Sequence, residues 1–408
     1  MVRRDERSWV FVVRGAPDID NIIPVAWAAA QQGRHVVVIV ASRYASDRDR
    51  RFGLLAGCAH VAVMQLPEAD VATGWGRLQR VRWCRLRVRR LLRRINAGLV
   101  CVEWGDGITG ESTSLLAGLK KRVLSDFVLQ VQYAARDLGI STVALPHGHS
   151  VKTNLVRSPH VQAALDAHGG KLPFSNRDSF AAYVFCSEYH RDVIVSNSTM
   201  SGRNAVVWGS ARFSEAWIVQ LTALTAGTVT IARRANTRRV LFFVPKWHNL
   251  VDRAGTIELL TALSRDPRLH VLVKAHPRAD HTSLTVDERS ALTGGGSLEF
   301  IEGPAESAAL LGECDVLVDV DSSIALDAVV RGIPYVRPRW LQDASVATIW
   351  DRGSVAHQPA SLRETIELLT SDGLTAGVPD NAFIDEVIGG RGAAPLERYV
   401  AELARIAR

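Results

Sequence analysis

The feature that most limits what this chain can become is an alternation. Short runs dense in Val, Ile and Leu recur along it, separated by longer stretches with apolar residues at helical spacing. Trp9–Val13, His35–Ala41, His60–Leu66, Leu99–Glu103, Thr142–Leu145 and Ala182–Cys186 read as strands. Their apolar character is continuous rather than alternating, which predicts parallel strands covered on both faces. Ile22–Gln32 and Ser114–Leu138 read as helices between them. This βαβ rhythm predicts an open, parallel α/β sheet.

The rhythm breaks near residues 211–237, an Ala/Thr-rich segment ending in Arg233, Arg234, Arg238 and Arg239, and then resumes. Val240–Val244, His270–Lys274, Leu298–Ile301, Val316–Val318 and Pro334–Val336 read as a second set of strands. Helices fit at Gly255–Ser264, Ala305–Leu311 and Ile324–Arg331, and Leu396–Ile406 has the spacing of a terminal helix. The 408 residues suit two or three domains. The division expected is 1–212, a linker 213–236, a second α/β domain 237–390 and a terminal helix within 391–408. Two such domains imply a cleft, with ligands beyond the carboxyl ends of the strands.

Composition narrows the class. Hydrophobic residues at 47% and charged residues at 22% exclude general disorder, collagen and a disulfide mini-scaffold. Five scattered cysteines without a CxxC read as reduced thiols of a cytosolic protein. No run approaches the ~18 apolar residues of a membrane span, and Trp9–Val13 is too short for a signal peptide.

The net charge of +7 is local. Arg77, Arg80, Arg82, Arg85, Arg87, Arg89, Arg90, Arg93 and Arg94 fall in one segment with no acid between them, and the rest of the chain sums to about −2. Val81, Cys84, Val88, Leu91, Leu92 and Ile95 form one helical stripe with most of the arginines off it. A basic amphipathic helix results, which predicts docking on an anionic membrane surface through Arg82, Arg85, Arg89 and Arg93. No aromatic platform accompanies the arginines, so nucleic acid is not the expected partner. The expected location is the cytoplasmic face of the membrane.

Polar residues at strand ends carry the chemistry. Pro146-His147-Gly148-His149 follows a strand; the proline ends it, the glycine permits tight backbone approach or positive φ, and a histidine there can deprotonate a hydroxyl. Lys274-Ala275-His276-Pro277 also follows a strand, and in extended backbone Lys274 and His276 share a face, both able to donate to phosphate oxygens. Asp319-Val320-Asp321-Ser322-Ser323 runs from a strand into a helical pattern, where Ser322 or Ser323 would cap the helix and a phosphate would be favoured at its start. Glu103-Trp104-Gly105-Asp106-Gly107 offers acids that could act as base or bind an acceptor hydroxyl. Lys246 could face phosphate, with Trp247 stacking or packing beside it. Gly15-Ala16-Pro17-Asp18 suggests only a backbone approach. There is no P-loop, HExxH, GxSxG or zinc-spaced Cys/His cluster, so neither a metal centre nor a cofactor is expected, and no motif requires a divalent cation.

Together these motifs resemble a GT-B type transferase of surface-polymer assembly, specifically the CDP-glycerol glycerophosphotransferase and capsule-polysaccharide transferase group. Pro146-His147-Gly148 is similar to that group's His-Gly loop, Lys274-Ala275-His276-Pro277 to its Lys-x-His-Pro motif, and Cys314–Pro334 to its strand–Asp–Ser–Ser–helix pattern. Phe383-Ile384-Asp385 through Glu397-Arg398 is a faint match to its ending. The resemblance implies a GT-B-like fold of two Rossmann-like domains, the first on the acceptor side and the second on the donor side. It implies transfer of a sugar or polyol phosphate from a nucleotide-activated, cytidine-type donor to a cell-surface glycan or lipid-linked acceptor, as in teichoic acid or capsule assembly. His147 would be the general base, with Glu103 and Gly148 on the acceptor side. Lys274, His276, Ser322 and Ser323 would hold the donor's phosphates, with Asp327 behind the Ser-Ser turn and Lys246 nearby. The family's Asp-Tyr before Ser-Ser is replaced here by Val320-Asp321. Asp106-Gly107 with His276-Pro277 also resembles bacterial sialyltransferases, under which Asp106 would be the base. A nucleotide-sugar 2-epimerase of the same plan, or a non-catalytic nucleotide- or glycan-binding protein, are the alternatives.

Overall fold

A computed structural model of the chain describes residues 7–41, 49–66, 85–105, 107–108, 127–149, 151–154, 159–275, 284–302, 307–352, 355–377, 381–390 and 394–407. They pack as two units. The first draws on Met1–His149, Ala164–Ile218 and Asp385–Arg408, the second on Ser150–Ala163 and Val219–Ile384.

The first unit holds a sheet of β1 (Ser8–Val13), β2 (Val36–Val40), β3 (Val61–Gln65), β4 (Ala97–Glu103), β5 (Ser141–Leu145), β6 (Ala182–Phe185) and β7 (Ala205–Val207). Their order is β3-β2-β1-β4-β5-β6-β7, and every pairing is parallel. The interior strand β1 shows why the sequence runs are continuous: Val10 pairs with Val37 on one side and Val100 on the other, and all six residues are buried. The edges β3 and β7 are only partly covered. One face of the sheet closes over a core including Val12, Val100, Val131, Tyr183 and Phe185.

The second unit repeats the plan with β8 (Arg238–Phe243), β9 (Leu269–Lys274), β10 (Leu298–Phe300), β11 (Val316–Val318) and β12 (Tyr335–Val336). The order is β10-β9-β8-β11-β12, again wholly parallel. Leu259, Leu263, Val271 and Val318 lie in its core. Each sheet therefore reverses its strand order once, between β1 and β4 in the first and between β8 and β11 in the second. At such a point the connections leave in opposite directions and open a crevice beyond the strand ends. The residues just after β1, β4, β8 and β11 are thereby singled out.

The last helix, Ala394–Ile406, belongs to the first unit. It packs on the helix Ala16–Gln31 and buries Leu396, Tyr399, Val400 and Leu403. Its approach depends on two glycines with positive φ: a Cβ on Gly389 would lie 2.4 Å from the Cys186 carbonyl oxygen and 2.6 Å from Gly209 Cα. The Tyr399 hydroxyl donates to the Gly209 carbonyl at 3.0 Å.

The basic segment is helical at Arg85–Arg94, with Arg82 outside the described residues. Its apolar stripe is already in use: Val88 and Leu92 are core residues, Leu91 and Ile95 pack against that core, and the helix lies on Phe127–Asp137. It has no apolar face left for insertion into lipid. Arg85 is paired with Asp137 and sits over the Tyr133 ring. Arg89 is half-buried and Arg93 exposed. No described helix is long and apolar enough to cross a membrane. The four described cysteines are free thiols.

Candidate functional site

Three neighbouring strand ends of the first unit converge. After β1 the chain turns at Arg14 and Gly15 into the helix Ala16–Gln31, whose first turn carries Asp18. The helix dipole favours a carboxylate there. Asp18 accepts the Arg14 backbone N–H at 2.6 Å, and Arg14 Nε lies 3.7 Å from the same oxygen. Glu103, the last residue of β4, is buried. Its Oε2 accepts from Arg14 Nη2 and its Oε1 accepts from His147 Nδ1. His147 comes from the loop after β5 and is half-exposed.

This arrangement has chemical consequences. A carboxylate on Nδ1 fixes the tautomer, so the neutral ring carries its lone pair on Nε2 and can take a proton there. Burial pushes the Asp18 carboxyl up from its usual range, and Arg14 and then His147 hold it back. Asp18, Glu103 and His147 offer ligand-type atoms within 4.8 Å of one another. Arg14 already brings a positive charge to both carboxylates.

Gly148 has φ of +139°, one of the two roles open to a glycine in this loop. Asp106 lies outside the described residues. Gly107 is a point of close contact: a Cβ there would fall 1.8 Å from the Asn176 carbonyl oxygen. Arg14 and Asp18 escaped the sequence reading, which saw only a backbone approach in that loop. Their importance comes from β1 lying beside β4, which local pattern does not reveal.

The second unit gathers another group. Lys274 ends β9 and is buried; burial lowers its pKa and Glu302 opposes the shift. His276 lies outside the described residues. Beyond β11, Asp319 is fully buried. Its Oδ2 accepts the Ser322 N–H at 2.7 Å, and its Oδ1 has no hydrogen-bond partner. The Tyr335 hydroxyl donates to the Asp319 carbonyl at 3.3 Å. Buried Arg337 reaches the Val320 carbonyl at 3.4 Å and is itself held by Asp351 and Gln358. Burial, and then the charge of Asp321, push the Asp319 carboxyl up to about 8.

Asp321 is also buried and its pKa raised, opposed by Lys152 first and then Asn249, Lys246 and His248. Its Oδ2 accepts from Asn249 Nδ2 and lies 3.8 Å from Lys152 Nζ. Lys152 is a third residue the sequence reading missed. It sits on a segment fixed by the Thr153 N–H to the Ala347 carbonyl and the Ile349 N–H to the Val151 carbonyl, both 2.9 Å.

At the helix start, one of the two serines considered as caps makes the contact. Ser322 Oγ accepts the Ile324 N–H at 3.3 Å, whereas Ser323, the N-cap of Ile324–Val330, makes no side-chain cap. The N–H groups of Ser322 and Ile324 are thus satisfied within the turn. Asp327 is buried in the helix's first turn, and Lys246 is half-buried beside the turn Trp247–Asn249.

No protein-family profile and no curated protein sequence matches the chain. Solved structures do. The UDP-GlcNAc 2-epimerase of Neisseria meningitidis, bound to UDP-GlcNAc, is 10% identical, covers 98% of this chain and 98% of its own, and has a TM-score of 0.56. The UDP-N-acetylglucosamine 2-epimerase of Rickettsia bellii is 10% identical over 98% of this chain and 96% of that one, with a TM-score of 0.54. A glycosyltransferase of Rickettsia africae is 10% identical over 99% and 98%, with a TM-score of 0.51. At such identities the likeness speaks to fold, and it does not single out the CDP-glycerol transferase group: the chain has the GT-B-like fold of two Rossmann-like α/β domains.

Proposed function

We infer that the chain is an enzyme acting on a nucleotide-activated sugar, and that its reaction is epimerisation at C2. The observation that carries this is the Asp18–Arg14–Glu103–His147 cluster at the strand-order reversal of the first sheet. Inverting a carbon requires removing a proton on one face and returning one on the other. The sugar's C2 hydrogen is not acidic by itself, so its loss must accompany expulsion of an anion from C1. The C2–H electrons form a C1–C2 double bond while the C1–O pair leaves with the nucleotide diphosphate. Readdition of the nucleotide, with protonation from the opposite face, completes the change without an acceptor. The step needs more than one acid/base group, and the cluster supplies two buried carboxylates and a histidine. The second unit by itself offers Lys152, Lys246 and Lys274, cations suited to the phosphates of a nucleotide. The likeness to UDP-sugar 2-epimerases supports a uridine rather than a cytidine nucleotide.

Transfer to an acceptor hydroxyl is the second reading, favoured by the half-exposed His147 ring braced through Nδ1 by Glu103, the arrangement of a base for a hydroxyl. Under it a sugar or polyol phosphate passes from a nucleotide-activated donor, the nucleotide leaving, to a glycan or lipid-linked acceptor.

Incubation with UDP-GlcNAc alone in deuterated water separates the readings. Epimerisation gives the C2 epimer with deuterium at C2. Transfer leaves C2 protonated and the donor intact until acceptor is added. Binding seen as a thermal shift, with no turnover of UDP- or CDP-activated donors under either condition, would sink both and leave a nucleotide-binding protein.

A further inference from the structure

The helix Arg85–Arg94 carries a face that the proposed chemistry does not use. At 100° per residue, Leu86, Arg87, Arg90, Arg93 and Arg94 fall within an arc of about 120°. All five are exposed, and Leu86 is 60% accessible. Val88 and Leu92 lie on the opposite side, in the core. The side chains of Arg90, Arg93 and Arg94 have no hydrogen-bond or ion-pair partner among the described residues. The chain holds no acidic residue between Asp70 and Glu103, so nothing on this helix offsets the arginines.

We propose that this face docks the protein on an anionic lipid bilayer by charge, with the helix remaining in the protein rather than sinking into the lipid. The argument for this occupant is charge complementarity on one convex face. A single row of guanidinium groups with one exposed leucine suits a plane of phosphate headgroups, whereas a nucleic acid strand would be met by stacking side chains, and Arg85–Arg94 contains no aromatic residue. Because the apolar stripe is buried, binding depends on surface potential and falls steeply with salt. The inference does not rest on the identity of the reaction.

The test is sedimentation with vesicles of phosphatidylcholine plus phosphatidylglycerol, and of phosphatidylcholine alone. The native protein pellets only with the anionic vesicles, and added salt releases it. The triple variant Arg90→Gln/Arg93→Gln/Arg94→Gln removes three exposed charges without touching the core, and its vesicle affinity falls about a hundredfold. A second variant, Arg233→Gln/Arg363→Gln/Arg405→Gln, loses the same charge at other exposed positions and binds like the native protein. Equal loss in both variants overturns the proposal, since net charge alone then explains binding. So does failure of the native protein to bind anionic vesicles at low salt. Tighter, arginine-dependent binding to duplex DNA than to vesicles makes nucleic acid the partner and also overturns it.

Discussion

The substitution Asp319→Asn is expected to stabilise the protein, and more so as pH rises. Asp319 is fully buried with one carboxyl oxygen unpartnered, beside a second buried acid, Asp321. Its carboxyl is pushed up to about 8 in the folded chain, against about 3.9 in an unfolded one. The folded state therefore keeps a proton that the unfolded state releases. No penalty exists below the unfolded value; it grows as pH rises between the two values and is constant above the folded one. At about 1.4 kcal/mol per pH unit, the ceiling between about pH 5 and about pH 8 is roughly 4 kcal/mol. In a unit of this size that corresponds to a fall in Tm of about 10 °C for the transition of the second unit. The introduced amide would be uncharged at every pH, and its oxygen can still accept the Ser322 N–H. Scanning calorimetry of both proteins at the two pH values reads the difference. Parallel pH dependence, or a variant less stable than the native protein at the higher pH, would refute the assignment of a protonated acid at the end of β11. A neutral Asp319 also removes a negative charge from strand ends assigned to a diphosphate.

Further outcomes follow from individual residues. Glu103→Gln removes the charge that orients His147, so turnover of the sugar nucleotide falls about 100-fold or more while the nucleotide-induced thermal shift is retained; equal loss of both would count against an acid/base role. Lys152→Met deprives Asp321 of its nearest cation, and calorimetric titration is expected to show UDP binding weakened about tenfold or more with uridine barely affected. Gly389→Ala forces a methyl into the Cys186 carbonyl at positive φ and costs about 3 kcal/mol or more by urea titration, whereas Gly169→Ala, with open space around it, costs about 1. Activity is expected to survive EDTA, because Arg14 supplies the positive charge beside the carboxylates Asp18 and Glu103.

Much of this fold was legible because burial on both faces writes itself into sequence. β1, β2, β4 and β5 are mostly apolar and almost wholly buried, and each was visible as a run. β7 was not, because Ala205–Val207 is three half-buried residues at an edge. His147, Glu103, Lys274 and the Asp319–Ser323 turn stood out in the sequence because they end strands or lie just beyond them. Arg14, Asp18 and Lys152 were not. Their roles depend on strand order and on chain segments far apart in sequence, and a charged residue in a loop looks the same whether it faces water or a buried carboxylate. The basic helix was legible as a periodicity, but periodicity cannot say what covers the apolar stripe. The core does.

The return of the last helix to the first unit also orders events during synthesis. A ribosome completes every residue of the second unit's main segment, Val219–Ile384, before Leu396, Tyr399, Val400 and Leu403 exist. Until then the nascent first unit lacks the side chains that cover the helix Ala16–Gln31 and the hydroxyl that meets the Gly209 carbonyl. The unit begun first is the one finished last. A translation stop between the second unit and that helix leaves the first unit with an apolar surface open to aggregation and to chaperones.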